Sequence, residues 1–141
     1  GETSTKSIYT TDKCETLNQK IDDIKGTNRD VAHVNWGGDW RMPTYEEFRE
    51  LCEKCNWERK GSGCKVTGPN GNSIYLPAAG FRSGETLHQG GWGSFYWSST
   101  PYDTSSKAYM LNFTCSEYSD EYIVHDEENR DLGHCIRPVV N

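Results

Sequence analysis

Thr44 and Glu47 commit the middle of the chain to a helix. They lie in the stretch from Trp36 to Glu50, WGGDWRMPTYEEFRE, and form a capping box. The Thr44 hydroxyl accepts from the amide three residues on, and the Glu47 carboxylate reaches back to the Thr44 amide. Phe48, Leu51, Cys52 and Cys55 then recur at i, i+3, i+4 and i+7. That spacing makes one apolar face and leaves Glu46, Glu50, Glu53 and Lys54 to water. A Gly-Gly turn, Arg-Met-Pro and two tryptophans precede the helix, and Trp36 and Trp40, with Trp97, are expected in the core because Trp is mostly buried in folded proteins.

The other helical signals also fall in the first half. Cys14, Leu17, Ile21 and Ile24 keep helical spacing from Thr10 to Ile24, with Thr10 or Thr11 as cap. Gly26 breaks that run, and Asp30 caps a short segment, Val31 to Trp36, that ends at Gly37. From residue 58 the pattern changes. A charged loop over 58–63 leads to the turn cluster Gly68 to Asn72, and Ser73 to Ala79 reads as a strand whose Pro77 marks an edge or bend. Gly80 to Gly93 reads as a long glycine-rich loop, a kind that is uncommon in compact domains unless functional. Phe95 to Ser99, Ala108 to Cys115, Tyr122 to His125 and His134 to Val140 read as further strands, the last two joined by the acidic turn HDEENRDLG. Helices first and strands after predict an α+β fold rather than a parallel α/β sheet.

At 141 residues the chain makes one domain. Its net charge of -6 argues against nucleic acid, which needs a basic footprint. No apolar run reaches the roughly 20 residues of a membrane helix, so no membrane insertion by this domain is expected. The polar start GETSTKS is read as following a removed signal or lipoprotein segment. The 6 cysteines suit a disulfide-permissive compartment, and their spacing does not choose a pairing. Cys52 and Cys55 form C-x-x-C at a helix end, not at a helix start where the dipole lowers a thiol pKa. Cys52, Cys55 and Cys64 supply three thiolates but no spaced fourth zinc ligand. Buried thiols or structural disulfides are the simpler reading.

Five ordered pieces carry a family likeness: DVAHVNWGGDWRMPT, the helix with ELC and CNW, TGPNGNSIYLPAAGFR, FYWSST and the terminal IRPVV. Together they resemble the Fibrobacter succinogenes major paralogous domain family, a group of bacterial, largely Bacteroidetes-type, surface domains. The likeness spans roughly residues 30 to 140 and leaves residues 1–29 as an N-terminal extension. It implies a C-type lectin-like fold, with two or three helices beside small antiparallel sheets, chain ends together and a long loop region at one pole. WRMPTYEEF is also similar to a segment of the formylglycine-generating enzymes, which share that fold superfamily. Fold likeness does not carry activity.

Calcium-dependent C-type lectins resemble one another at an acidic Pro-Asn or Pro-Asp loop and a Trp-Asn-Asp strand. Here Gly68-Pro69-Asn70 lacks the carboxylate, and Trp97-Ser98-Ser99 lacks amide and acid. No cofactor is expected, and the one candidate Ca²⁺ site is the acidic turn, with Asp126, Glu128 and Asp131 flanked by Glu127 and Asn129. Sugars are also held without metal, on aromatic walls with few polar groups. The candidates for that are His88 and Trp92 on the long loop, with Tyr102 and Asp103 after FYWSST. Trp92 is weighed against folding back into the loop's own small core, the slightly favoured reading.

No hydrolase elbow, His-Glu-x-x-His helix or phosphate-cradling loop is present. His125 and His134 are expected as neighbours across the acidic hairpin, with Cys135 beside His134 as a conceivable Cys-His pair. Cys115 and Cys135 are read as strand neighbours in a disulfide. Asn112-Phe113-Thr114 matches a glycosylation sequon, read as coincidental in a bacterial chain. The expectation is a non-enzymatic extracellular or cell-surface module that binds a glycan or a surface protein through its long-loop pole. A structural module of a surface polymer or adhesin is the alternative, and a formylglycine-type oxidase comes last.

Overall fold

The computed structural model describes residues 22–102, 106–114 and 122–141, the side chains of 122–126 excepted. Most of the helix expected from Thr10 lies outside these residues, and 22–24 are not helical. Along the chain come α1 (Val31–Trp36), β1 (Trp40–Arg41), α2 (Tyr45–Lys54), β2 (Asn56–Arg59), β3 (Gly63–Thr67), β4 (Ser73–Pro77), β5 (Phe81–Ser83), β6 (Thr86–His88), β7 (Gly93–Pro101), β8 (Lys107–Thr114), β9 (Tyr122–Asn129) and β10 (Val139–Val140). Two helices beside small antiparallel sheets make the expected α+β architecture.

Both helices start where their caps place them. Thr44 and Glu47 close the capping box of α2 from both sides. Asp30, fully buried, does more than cap α1. Its Oδ1 accepts from Ala32 N at 2.9 Å and His33 N at 3.1 Å, while its Oδ2 accepts from Gly26 N at 2.9 Å and Met42 N at 2.9 Å. Several amides and a helix N-terminus offset the cost of burying this carboxylate. They also tie α1 to the strand that follows it.

The centre of the molecule is the antiparallel sheet β7-β8-β9. β7 is buried from Gly93 to Ser99, because both faces of the sheet are covered. Phe95 and Trp97, with Met110 and Ala108 of β8, face a cluster with Ala32 and Met42. Tyr96, with Leu111 and Phe113 of β8, faces the other cluster, with Phe48 of α2 and Val66 and Leu76 of the sheet β2-β3-β4. Period-two alternation turns one apolar run, FYW, into two cores. Trp97 is buried as expected.

Three expectations are corrected here. The stretch 58–63 is not one loop, because β2 begins directly after α2 and pairs with β3 in register Trp57↔Val66. The stretch 80–93 is not one loop either: β5 and β6 make a hairpin within it, Phe81 opposite His88. The acidic turn is mostly strand, since β9 runs to Asn129 with Glu128 opposite Ala108. Polar composition misled in each case, because edge strands of small sheets expose polar side chains. The chain closes through β10, which pairs only at Trp40↔Val140 and Arg41↔Val139, so the strand expected from His134 shrinks to two residues and isolated bridges.

Candidate functional site

Trp36 and Trp40 are not core residues. They keep 50% and 42% of their surface exposed, and the local geometry explains why. Trp36 is the last residue of a six-residue helix whose buried position is taken by Ala32. Gly37 and Gly38 follow with φ of 68° and 55°, the left-handed region that glycine enters without strain, and reverse the chain within one turn. The Trp40 amide then donates to Gly37 O at 3.2 Å. On β1 Arg41 points inward to Glu47, so alternation turns Trp40 to the outside.

The C-terminal segment completes the site. Pairing of β1 with β10 brings Arg137 and Pro138 against the two tryptophans, and the four residues line a groove of about 280 Å³. That is just below the roughly 300–1,000 Å³ of small-ligand sites. Among the described residues neither indole donates a hydrogen bond from its ring N–H, whereas the half-buried Trp57 and the buried Trp97 donate to Leu51 O and Leu132 O. Arg137 is exposed and makes no ion pair, side-chain hydrogen bond or ring contact among them. Arg41, in contrast, is held by Glu47 at 2.6 Å. The groove therefore presents two aromatic walls and an uncommitted guanidinium. Alternating strand burial and the glycine pair were the signals for it, but pairing of residue 40 with residue 140 carries no local signature.

The residues singled out from sequence are distributed differently. His88 is exposed and stacks on Phe81, ring centroids 5.0 Å apart at 20°. Trp92 does not fold back into a loop core: it is 50% exposed in the turn after β6, and Leu87 on β6 is 53% exposed. Gly80 seats this hairpin against β7, with φ 69° and a missing Cβ that would fall 2.1 Å from His88 O. Tyr102 packs edge-on against Tyr109 at 5.1 Å, and Tyr109 in turn against Tyr45 at 4.4 Å. Trp92 precedes the first residue of β7 and Tyr102 follows its last. At ~3.3 Å per residue the strand holds them on the order of 25–30 Å apart, so one small ligand does not reach both. Asp103 lies outside the described residues.

Of the acidic candidates, Glu128 accepts from the Asn129 amide at 2.9 Å, and Asp131 sits in the turn after β9. The side chain of Asp126 is outside the description. Among the described residues no group of three His, Cys, Asp or Glu is arranged to hold a metal. Cys115 is also outside them, and Cys135 carries a free thiol whose pKa burial pushes up. His134 and Cys135 pack on different clusters. Cys135 packs on the cluster around Phe113, whereas His134 stacks on Trp97 in the other direction, 4.0 Å between ring centroids. Burial lowers the His134 pKa to about 3. Cys52, half-buried beside Cys55 and Glu53, has its thiol pushed up to about 12, first by burial and then by those neighbours. This is the reverse of a redox-active thiol.

No protein-family model, curated protein or solved structure matches the chain.

Proposed function

We propose that this chain is a non-enzymatic recognition module of the extracellular or cell-surface type, with a C-type lectin-like fold, and that it binds a glycan in the groove between Trp36 and Trp40. The observation that carries the reading is the pair of half-exposed indoles lining one groove with Arg137 and Pro138. Flat aromatic faces take the apolar C–H face of a pyranose ring, and nearby donors take its hydroxyls. Two free indole N–H groups and a guanidinium supply the donors. The likeness of DVAHVNWGGDWRMPT and IRPVV to the Fibrobacter-type surface domains supports the same class, because those two pieces contain all four groove residues.

Binding in this groove uses no metal. Glycan-array screening followed by titration of intrinsic tryptophan fluorescence tests the reading. Trp36→Ala and Trp40→Ala are expected each to lower affinity at least tenfold, and chelation with EDTA to leave it unchanged. Equal affinity in both variants overturns the site.

A second reading has its own observation. Leu87 on β6 and Trp92 in the turn after it each expose about half their surface, a surface suited to packing against another subunit in a structural or adhesin-type module. Sedimentation of the chain at rising concentration, with Leu87→Ser as control, distinguishes assembly from glycan binding.

A further inference from the structure

We infer that the ligand of the Trp36–Trp40 groove is an acidic sugar, a uronic or sialic acid residue whose carboxylate is gripped by Arg137. The inference rests on the groove being the glycan site, and it narrows the ligand from the charge chemistry of one wall.

Of the seven arginines, Arg29, Arg59 and Arg137 make no side-chain ion pair or hydrogen bond among the described residues, and of these only Arg137 lines the groove; the other four have partners. Arg41 binds Glu47, Arg49 lies against Glu46 and Glu53, Arg82 donates to Glu85 O, and Arg130 has a partner as well. Arg137 stands in the groove with its fork of N–H donors unengaged among the described residues. Its backbone is nevertheless placed firmly. Pro138 restricts the residue before it to extended conformations, and β10 pairs with β1 immediately afterwards. A guanidinium carried on a fixed backbone, with free donors, can match the planar geometry of a carboxylate through two parallel N–H···O bonds.

The net charge of -6 does not contradict an anionic ligand. Charges farther away than the Debye length, about 8 Å at physiological ionic strength, are largely screened. Arg137 is the one charged residue among the four that line the groove, while Asp39 is exposed beside Trp40 in the turn. The shape of the groove selects among anions. Two indoles line a space of about 280 Å³. A pyranose ring carrying a carboxylate presents an apolar face and an anionic edge together. An acidic peptide presents its carboxylates on flexible stems and gains little from the walls.

The test is titration of the full chain with oligogalacturonate, oligoglucuronate and sialyllactose. Each is set against its neutral counterpart, the carboxyl-reduced oligomers and lactose, with a Glu-rich peptide alongside. At least one acidic sugar is expected to bind tenfold or more tightly than its neutral counterpart. Arg137→Gln is expected to abolish that preference, and Arg137→Lys to restore it only in part, because an ammonium is a point charge without the fork. Arg137 makes no side-chain ion pair, hydrogen bond or ring contact among the described residues, so an unchanged thermal melt of both variants accompanies the result. A preference that survives Arg137→Gln overturns the inference, as does tighter binding of the peptide. Equal binding of neutral and acidic sugars, lost in Trp36→Ala, overturns the acid selectivity and keeps the glycan site. No binding of any sugar overturns both.

Discussion

Glu47 Oε2 lies 2.8 Å from Arg41 Nη1 and 2.8 Å from the Thr44 amide, so one carboxylate caps α2 and neutralises a buried guanidinium. Its Oε1 completes the fork, 2.6 Å from Arg41 Nη2. The hydrogen bond from Arg41 is the chief reason the Glu47 pKa is lowered. A carboxylate with a depressed folded pKa stabilises fully above its unfolded value, about 4.3, and that stability is lost as pH falls through the lower folded pKa. Glu47 keeps 39% of its side chain exposed while Arg41 keeps 8%. Solvent therefore screens part of the pair, and Glu47→Gln should cost about 1–2 kcal/mol, below the ~3–5 kcal/mol of breaking a fully buried pair. Urea unfolding at pH 7 reads this cost, and the gap between wild type and variant should close towards pH 3.

Asp30 is the more costly carboxylate to remove. Asp30→Ala leaves the amides of Gly26, Ala32, His33 and Met42 without their acceptor. Each unmet buried donor costs ~1–3 kcal/mol, partly relieved by water, so a loss of about 3–4 kcal/mol is expected. The same variant should loosen the Trp36–Trp40 turn. Hydrogen exchange at Met42 faster than in β8 would register that, and unchanged protection would refute the tie between α1 and β1.

His134 makes the fold acid-sensitive. Its folded pKa, lowered by burial to about 3, lies below the unfolded value, about 6.5. Above that value neither state binds the proton and there is no slope. As pH falls below it the unfolded chain takes a proton that the folded one refuses, and stability drops by about 1.4 kcal/mol per pH unit until the folded imidazole itself titrates. His134→Phe keeps a ring against Trp97 and should flatten the curve between pH 6 and 4. Identical slopes in both proteins would sink the assignment.

Cys52 should resist alkylation in the folded chain. With the thiol raised to about 12, almost no thiolate exists at pH 8, whereas an unfolded thiol near ~8.5 is partly ionised. Iodoacetamide labelling followed by mass spectrometry should show Cys52 modified at least about a hundredfold more slowly than in urea.

What was legible in the sequence follows the range of each interaction. The caps at Asp30 and Thr44 act over three residues, and both helices begin where those residues place them. The β8 strand, expected at Ala108 to Cys115, is found at Lys107–Thr114 because its apolar residues serve two cores. The β5-β6 hairpin was hidden, since His88, Leu87 and Thr86 are all exposed and leave no alternation to read. His88 and Trp92 are both exposed, against the slightly favoured reading that Trp92 folds back, and β7 carries Tyr102 to its opposite end.

The sequence by itself determined where the two helices start and that Trp97 lies in the core. Those outcomes depend on hydrogen bonds and periodicities that close within a few residues. Only the tertiary structure decided what Trp36 and Trp40 do. β1 is two residues long, and its outer face acquires meaning when Val140 pairs opposite Trp40. That contact between distant parts of the chain turns two apparent core anchors into the walls of a groove and sets Arg137 beside them.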